Sequence, residues 1–316
     1  MARSGGMRAS RIAILGGGAM GGLWAATLAS RKHEVLVVDV AGDLVATIRS
    51  TGLLVDTPSG EIRAHPHATT DPVGEQSADV VFIFVKAQHS RSASELAEPL
   101  VGPATTVVSL QNGLGNADVI AERFPGEQIV MGVTYNSATL VSAGHVRHTG
   151  LGHTFVGPYV DGFELRRAHA IGDLLVDAGL ATTVTGQVKA EIWKKLILNS
   201  STLATAALTG LRAAELMTVG HMRAVVDQLV TESTGIANAL GYPIDVAERI
   251  EQTHAVLERA GLGKPSMLQD VEARRKTEIE VINGAVATAA LSVGLRAPLN
   301  ELMVALVGGL EQSWRR

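Results

Sequence analysis

No cysteine occurs among the 316 residues of this chain, so disulfides, thiolate nucleophiles and cysteine-ligated metals are excluded. Long basic blocks are also absent, and the net charge is −4, which leaves a nucleic-acid partner without electrostatic support. No apolar run approaches the length of a membrane span. The opening stretch, Met1 to Ser10, is polar with glycines and lacks the apolar centre of a signal peptide, so it is expected to be an extension to a cytoplasmic protein. What the chain does have is hydrophobic sequence: 46% of residues, against 18% charged, over a length that suggests two well-buried domains.

The most informative stretch is Arg11-Ile-Ala-Ile-Leu-Gly-Gly-Gly-Ala-Met-Gly21, an apolar β-type run that empties into glycines and then into helix-like sequence. Gly16, Gly18 and Gly21 fit the G-x-G-x-x-G spacing. A second β-like run, His33 to Asp39, follows at the distance a βαβ unit requires. In that setting Gly16 permits a tight turn, Gly18 lets backbone approach a pyrophosphate, and Gly21 brings helix close to strand. Ala19 and Met20 would open the helix whose free N–H groups face the phosphates. Glycines alone often mark only a loop; the strand before, the helix after and the acid at the second strand's end argue for a dinucleotide site.

Strand and helix signals then alternate. The spacing predicts a helix over Asp43–Ser50, a hairpin turning at Pro58-Ser59-Gly60, and strands over Asp79–Lys86, Thr105–Leu110 and Gln128–Met131. Helices are expected near Ser92–Leu100, Ala117–Phe124 and Phe163–Asp177, with an antiparallel extension between Gly144 and Gly157. This order specifies an α/β fold with a doubly wound parallel sheet. Beyond Gly186 the strand signals fade into long amphipathic patterns at Val188–Leu208, Val219–Leu240, Val246–Ala260 and Ser266–Val293, a second, all-helical domain.

Several polar residues sit where ligands collect in such folds. Lys86 and Gln111-Asn112-Gly113 follow strands at their carboxyl ends, although a solvated strand terminus and an ordinary turn explain them equally well. Lys195 and Asn199 are four apart and share a helix face; spacing alone does not separate Lys195 from Lys194, and surface lysines commonly snorkel. Glu278, on a continuous helix, stacks with Val271, Ile282 and Ala285, and a carboxylate on an apolar stripe needs a partner; Glu280 faces solvent. His145, His148 and His153 lie in a glycine-rich segment without evident carboxylate ligands, so no metal is expected.

Taken together these pieces resemble the ketopantoate reductase (2-dehydropantoate 2-reductase) family. The markers are the Gly-Gly-Gly-Ala-Met-Gly loop, Val85-Lys86-Ala87, Gln111-Asn112-Gly113-Leu114-Gly115, Glu191-Ile-Trp-Lys-Lys-Leu196, and Ser266-Met-Leu-Gln-Asp270 running on to Thr277-Glu-Ile-Glu-Val-Ile-Asn-Gly284. The resemblance implies a Rossmann domain over residues 8–186, a helical substrate and catalytic domain over 187–316, and an active site between them. It places the catalytic lysine on Lys195 and the catalytic glutamate on Glu278. It also puts cleft asparagines on Asn112 and Asn199, a strand-end lysine on Lys86, and a substrate-binding serine on Ser266. Cofactor contacts fall on Gly16, Gly18, Ala19, Met20, Gly21, Asp39, Lys86 and Asn112.

The implied chemistry is reduction of a 2-oxo acid, most simply ketopantoate, by NADPH or NADH. Lys195 supplies a proton to the growing oxyanion, the asparagines orient, Ser266 binds the carboxylate and Glu278 takes a hydrogen bond from a substrate hydroxyl. Two departures stand out. Family members carry a basic residue after the second strand to meet a 2′-phosphate; Val38-Asp39-Val40 stands here, which favours NADH unless Arg49 or Arg31 compensates. Where many members have a second asparagine eight residues past the catalytic lysine, this chain has Leu203, which points to an apolar 2-oxo acid or another ketone as the rival substrate. A dinucleotide-sensing regulator without turnover is the rival from another class, and a homodimer is compatible with the helical half.

Overall fold

The computed structural model describes residues 9–314, so the expectation for Met1 to Ser10 falls outside them up to residue 8. Among the described residues the chain forms β1 (Arg11–Leu15), β2 (Glu34–Val38), β3 (Leu53–Thr57), β4 (Gly60–Ala64), β5 (His67–Thr69) and β6 (Val80–Ile83). It continues with β7 (Thr106–Ser109), β8 (Ile129–Thr134), β9 (Ser137–Ser142), β10 (His145–Gly150), β11 (Thr154–Pro158) and β12 (Thr182–Val184). Eight of these make one sheet in the order β12-β11-β8-β7-β6-β1-β2-β5. Every neighbouring pair in it is parallel except β8 with β11. The apolar runs at β1, β6 and β7 are buried throughout or nearly so, as central parallel strands covered on both faces must be.

The helices of this first unit, residues 9–111 and 116–188, are α1 (Ala19–Ala29), α2 (Gly42–Thr51), α3 (Ser90–Ala97), α4 (Asn116–Ala121) and α5 (Arg166–Asp177). A second sheet, β4-β3-β10-β9, lies against α1 on the side away from β1 and β2. That explains why α1 has no polar face: Gly21 to Leu28 are all buried, because the helix has a sheet on either side. A Cβ on Gly22 would already stand 3.0 Å from Val146 of β10. The β3–β4 hairpin closes at Thr57 opposite Gly60, where the turn was expected. The antiparallel extension expected over Gly144–Gly157 is divided instead. β10 joins the second sheet, parallel to β3, while β11 returns to the main sheet beside β8.

The second unit comprises residues 112–115 and 189–314. Its helices are α6 (Val188–Thr209), α7 (Glu215–Thr218), α8 (Met222–Ala239), α9 (Val246–Ala260), α10 (Ser266–Glu272), α11 (Ile279–Ser292) and α12 (Pro298–Ser313). The division by contacts therefore falls at residue 188 rather than 186, and the short 112–115 segment groups with the helices. Leu196, Ile197, Leu229, Val230, Val286 and Val307 centre an apolar core that Leu114 packs against.

One expectation is corrected here. Ser266–Val293 is not a single helix: α10 ends after Glu272 and α11 begins at Ile279. Arg274, at φ 48°, takes the left-handed position just past the end of α10. The Arg275 N–H donates to the Asp270 carbonyl (2.8 Å) and the Arg274 N–H to that of Val271 (3.0 Å), the paired bonds of a Schellman cap. Glu278 is thus the N-cap of α11 rather than a mid-helix residue stacked on Val271.

Candidate active site

In the first unit the glycine loop joins β1 to α1 as a cradle. Gly16 has φ +96°, and a Cβ on it would press on the backbone of Phe84 and Val85 at 3.1 Å. A Cβ on Gly21 would lie 1.8 Å from the Gly16 carbonyl oxygen, so glycine there is what lets the helix start this close to the strand. Gly18 differs: a Cβ on it would meet nothing within 4 Å. It is the N-cap of an 11-residue helix whose first turn receives no side-chain cap. Unspent N–H groups at Ala19 and Met20, fronted by open space, fit a pyrophosphate.

Asp39 does more than the sequence reading asked of it. One carboxylate oxygen accepts from the Gly17 N–H (2.7 Å) and the other from the Ala41 N–H (2.9 Å). The residue therefore holds the glycine loop in shape as well as presenting negative charge at the end of β2. Val40, beside it, is 84% exposed and brings no cation. Of the two arginines considered as compensation, Arg31 precedes β2 and so stands at the opposite end of that strand from Asp39. Arg49 is tied by its Nε to the Ala68 carbonyl of β5 (2.7 Å). Lys86 caps a short 3-10 turn, Ala87–His89, after β6.

A separate polar cluster forms within the helical unit. Lys195, from the second turn of α6, donates from Nζ to the Asn112 Oδ1 at 2.8 Å. Burial pushes its pKa down from 10.5 to about 8, while the nearby Glu278 charge holds it up. Lys194, which spacing left indistinguishable from it, pairs instead with Glu191 on the same helix (2.7 Å). Asn199 lies one turn beyond Lys195, 7% exposed, and its amide makes no hydrogen bond to the described residues. Leu203, a further turn on, is 8% exposed and belongs to the apolar core.

Two local devices set Asn112 and Glu278 in place. The Leu114 N–H donates to the Val281 carbonyl in the first turn of α11 (2.9 Å). Gly113, at φ +86°, passes so near that a Cβ would sit 2.4 Å from that same oxygen. Thr277, immediately before Glu278, donates from both its N–H and its hydroxyl to Glu311 of α12 (2.8 and 2.6 Å). Glu280 is exposed, as expected.

Among the expected site residues, then, Asn112, Lys195 and Glu278 are brought together, with Asn199 on the same helix face. Ser266 stands exposed at the first position of α10, and no contact ties it to that cluster. The three histidines of the glycine-rich segment have separate partners: Asp56 for His145, Asn136 for His148 and Thr183 for His153. No group of three or more metal-ligating side chains occurs among the described residues. Nor is any helix among them long and apolar enough to cross a membrane.

Comparison with known proteins gives consistent results. The family described as ketopantoate reductase PanE/ApbA matches residues 12–161, and its C-terminal counterpart matches residues 187–311. The chain is 30% identical to the 2-dehydropantoate 2-reductase of Archaeoglobus fulgidus, over 96% of this chain and 99% of that one. It is 31% identical to the enzyme of the same name from Halobacterium salinarum, over 94% and 97%. Among solved structures, a ternary complex of D-mandelate dehydrogenase with NADH and anilino(oxo)acetate superposes with a TM-score of 0.90 at 28% identity, covering 96% of this chain and 98% of that one. A PanE/ApbA family ketopantoate reductase from Ralstonia eutropha JMP134 does so with 0.86 at 29% identity, covering 97% and 100%.

Proposed function

The chain belongs to the ketopantoate reductase PanE/ApbA family and is a nicotinamide-dependent oxidoreductase, and from that premise we propose that it reduces ketopantoate to pantoate. The observation that carries the reading is Lys195: an ammonium with a pKa of about 8, held by Asn112 and set beside Glu278. A donor so poised is charged at neutral pH yet gives up its proton readily. Reduced nicotinamide, when bound, would supply hydride to the ketone carbon. Lys195 then neutralises the charge developing on the carbonyl oxygen and delivers the proton that completes the alcohol. Asn112 fixes the lysine; Asn199, with its uncommitted amide one turn away, orients substrate. Glu278 accepts from the substrate's distal hydroxyl; the carboxylate falls to Ser266 by family resemblance alone, since it stands apart from the Lys195 cluster.

For the cofactor, Asp39 and the bare Val40 favour NADH over NADPH, since a 2′-phosphate would meet a fixed carboxylate and, at residue 40, an apolar side chain in place of a cation. Leu203 favours a second reading, an apolar 2-oxo acid as substrate, because it puts a hydrocarbon two turns from Lys195 on the same helix face. The likeness to D-mandelate dehydrogenase bound to anilino(oxo)acetate points the same way.

Steady-state oxidation of NADH and NADPH against ketopantoate and a panel of 2-oxo acids lacking a hydroxyl tests these readings together. Ketopantoate turnover that disappears in Lys195→Ala and is greatly slowed in Glu278→Ala supports the first. A clear preference for a substrate without a hydroxyl replaces it with the second. Tight cofactor binding with no turnover of any ketone would defeat both in favour of a sensor.

A further inference from the structure

Asn283 lies in the block Thr277-Glu-Ile-Glu-Val-Ile-Asn-Gly284, five residues after Glu278, and is fully buried at 0% exposure. Its amide nitrogen donates twice: to the Ser200 carbonyl of α6 at 2.8 Å and to the Asn300 Oδ1 of α12 at 2.9 Å. Ser200 is the residue after Asn199 and five after Lys195 on the same helix. Asn300 is in turn locked, giving its amide to Glu232 (2.8 Å) and to Ser233 (3.1 Å) of α8. Both donors of the Asn283 amide are thus spent inside the helical unit, which leaves none for a ligand.

We infer that Asn283 is a positioning residue for the Lys195–Glu278 pair: by bridging α11 to the carbonyl of Ser200, it fixes where the helix that starts at Glu278 stands against the helix that carries Lys195. The bond crosses between the two elements that hold the opposite charges, within about one and a half turns of each. Once the amide is removed, apolar packing and the Lys195–Glu278 attraction alone would set the separation. Packing tolerates slides that a short, fully buried hydrogen bond does not. The inference takes the roles of Lys195 and Glu278 from the function proposed above.

The test is to follow the Lys195 side chain by NMR in protein labelled at lysine Cε, assigned with Lys195→Arg, as pH is raised through 8. Four proteins are compared: wild type, Asn283→Ala, Glu278→Gln and the double variant. Asn283→Ala should lower the Lys195 midpoint by about half a pH unit. A retreat of about 1 Å has that effect on a near-contact charge pair at an effective dielectric of about 20. In the Glu278→Gln background the same substitution should produce no further movement, because the charge it displaces is gone. The kcat for the 2-oxo acid should fall about tenfold or more, with KM for reduced cofactor unchanged.

Asn300→Ser, which removes the other acceptor of Asn283 but leaves the Ser200 bond, should lower the melting temperature and leave the midpoint in place. If Asn283→Ala does not fold, Asn283→Ser should give a smaller movement in the same direction. An unmoved midpoint in both Asn283 variants, or an equal movement with and without the Glu278 charge, overturns the inference. A wild type with no 2-oxo-acid turnover would overturn the proposed function instead, and the titrations would still decide whether Asn283 couples the pair.

Discussion

Replacing Lys195 with methionine should abolish reduction and at the same time make the protein more stable at neutral pH. The side chains are similar in length, so the change is chiefly the loss of the charge. Its pKa falls from 10.5 to about 8 in the folded protein, and at about 1.4 kcal/mol per pH unit the charged form costs about 3 kcal/mol at pH 7. Against this stands the Asn112 Oδ1, which loses its donor, at about 1 kcal/mol. The balance is a gain of about 2 kcal/mol, or about 4–8 °C in melting temperature for a unit of this size.

The sign of the pH dependence is fixed by the direction of the shift. A lysine whose folded pKa lies below its unfolded value opposes folding fully below the folded pKa, and that cost fades as pH rises from about 8 towards 10.5. By pH 10 only about 1 kcal/mol remains, which the lost hydrogen bond cancels, so variant and wild type should melt together there. Thermal melts of both proteins at pH 7 and pH 10 make the comparison. A methionine variant that melts lower at pH 7, or an advantage that does not shrink by pH 10, would refute a buried, strained ammonium at this position.

The same group predicts the kinetics. The kcat/KM for reduction should be level below about pH 8 and fall above it, since the donor must be protonated, and oxidation of the hydroxy acid should rise through the same pH; identical profiles in both directions would exclude Lys195 as the proton carrier. Gly113→Ala should lower kcat about a hundredfold, because the new Cβ would sit 2.4 Å from the Val281 oxygen and push Asn112 off the lysine. Gly115→Ala, equally left-handed at φ +88° but with nothing within 4 Å, should cost only about 1 kcal/mol of stability in a denaturant titration. Asp39→Ala should weaken NADH more than NADPH, measured by fluorescence titration, because it frees the N–H groups of Gly17 and Ala41 for both cofactors but removes a charge that repels only the 2′-phosphate; an equal loss for the two would mean that Asp39 acts only as a clamp.

Much of this arrangement is legible from sequence because the first unit obeys strong local rules. Fully apolar runs such as Val80–Ile83 admit few fates other than a central parallel strand, and the glycine spacing at 16, 18 and 21 admits few other backbone paths. The role of Asp39 as a clamp was hidden for the opposite reason. An acid at a strand end reads as a ligand contact, and nothing in the sequence says that backbone N–H groups 22 and two residues away will converge on it. The same holds for Lys194 and Lys195: adjacent on α6, they differ only in which neighbour each meets, and one of those neighbours is 83 residues distant.

Glu278 shows how a residue can be singled out for a reason the structure does not keep. Periodicity ran unbroken from Ser266 to Val293 because the stop after Glu272 carries neither glycine nor proline; an arginine takes the left-handed cap. A non-glycine residue there costs about 1–2 kcal/mol, which the paired cap bonds to Asp270 and Val271 offset. The break has a consequence that a continuous helix would deny. It turns Glu278 from one member of a stripe into the N-cap of a new helix, fixed from behind by Thr277 on Glu311 and from ahead by Val281 on the Asn112 loop. A carboxylate at such a junction can be aimed independently of the helix before it. That freedom is what allows one glutamate to face Lys195 while its neighbours, Glu272 and Glu280, remain in solvent.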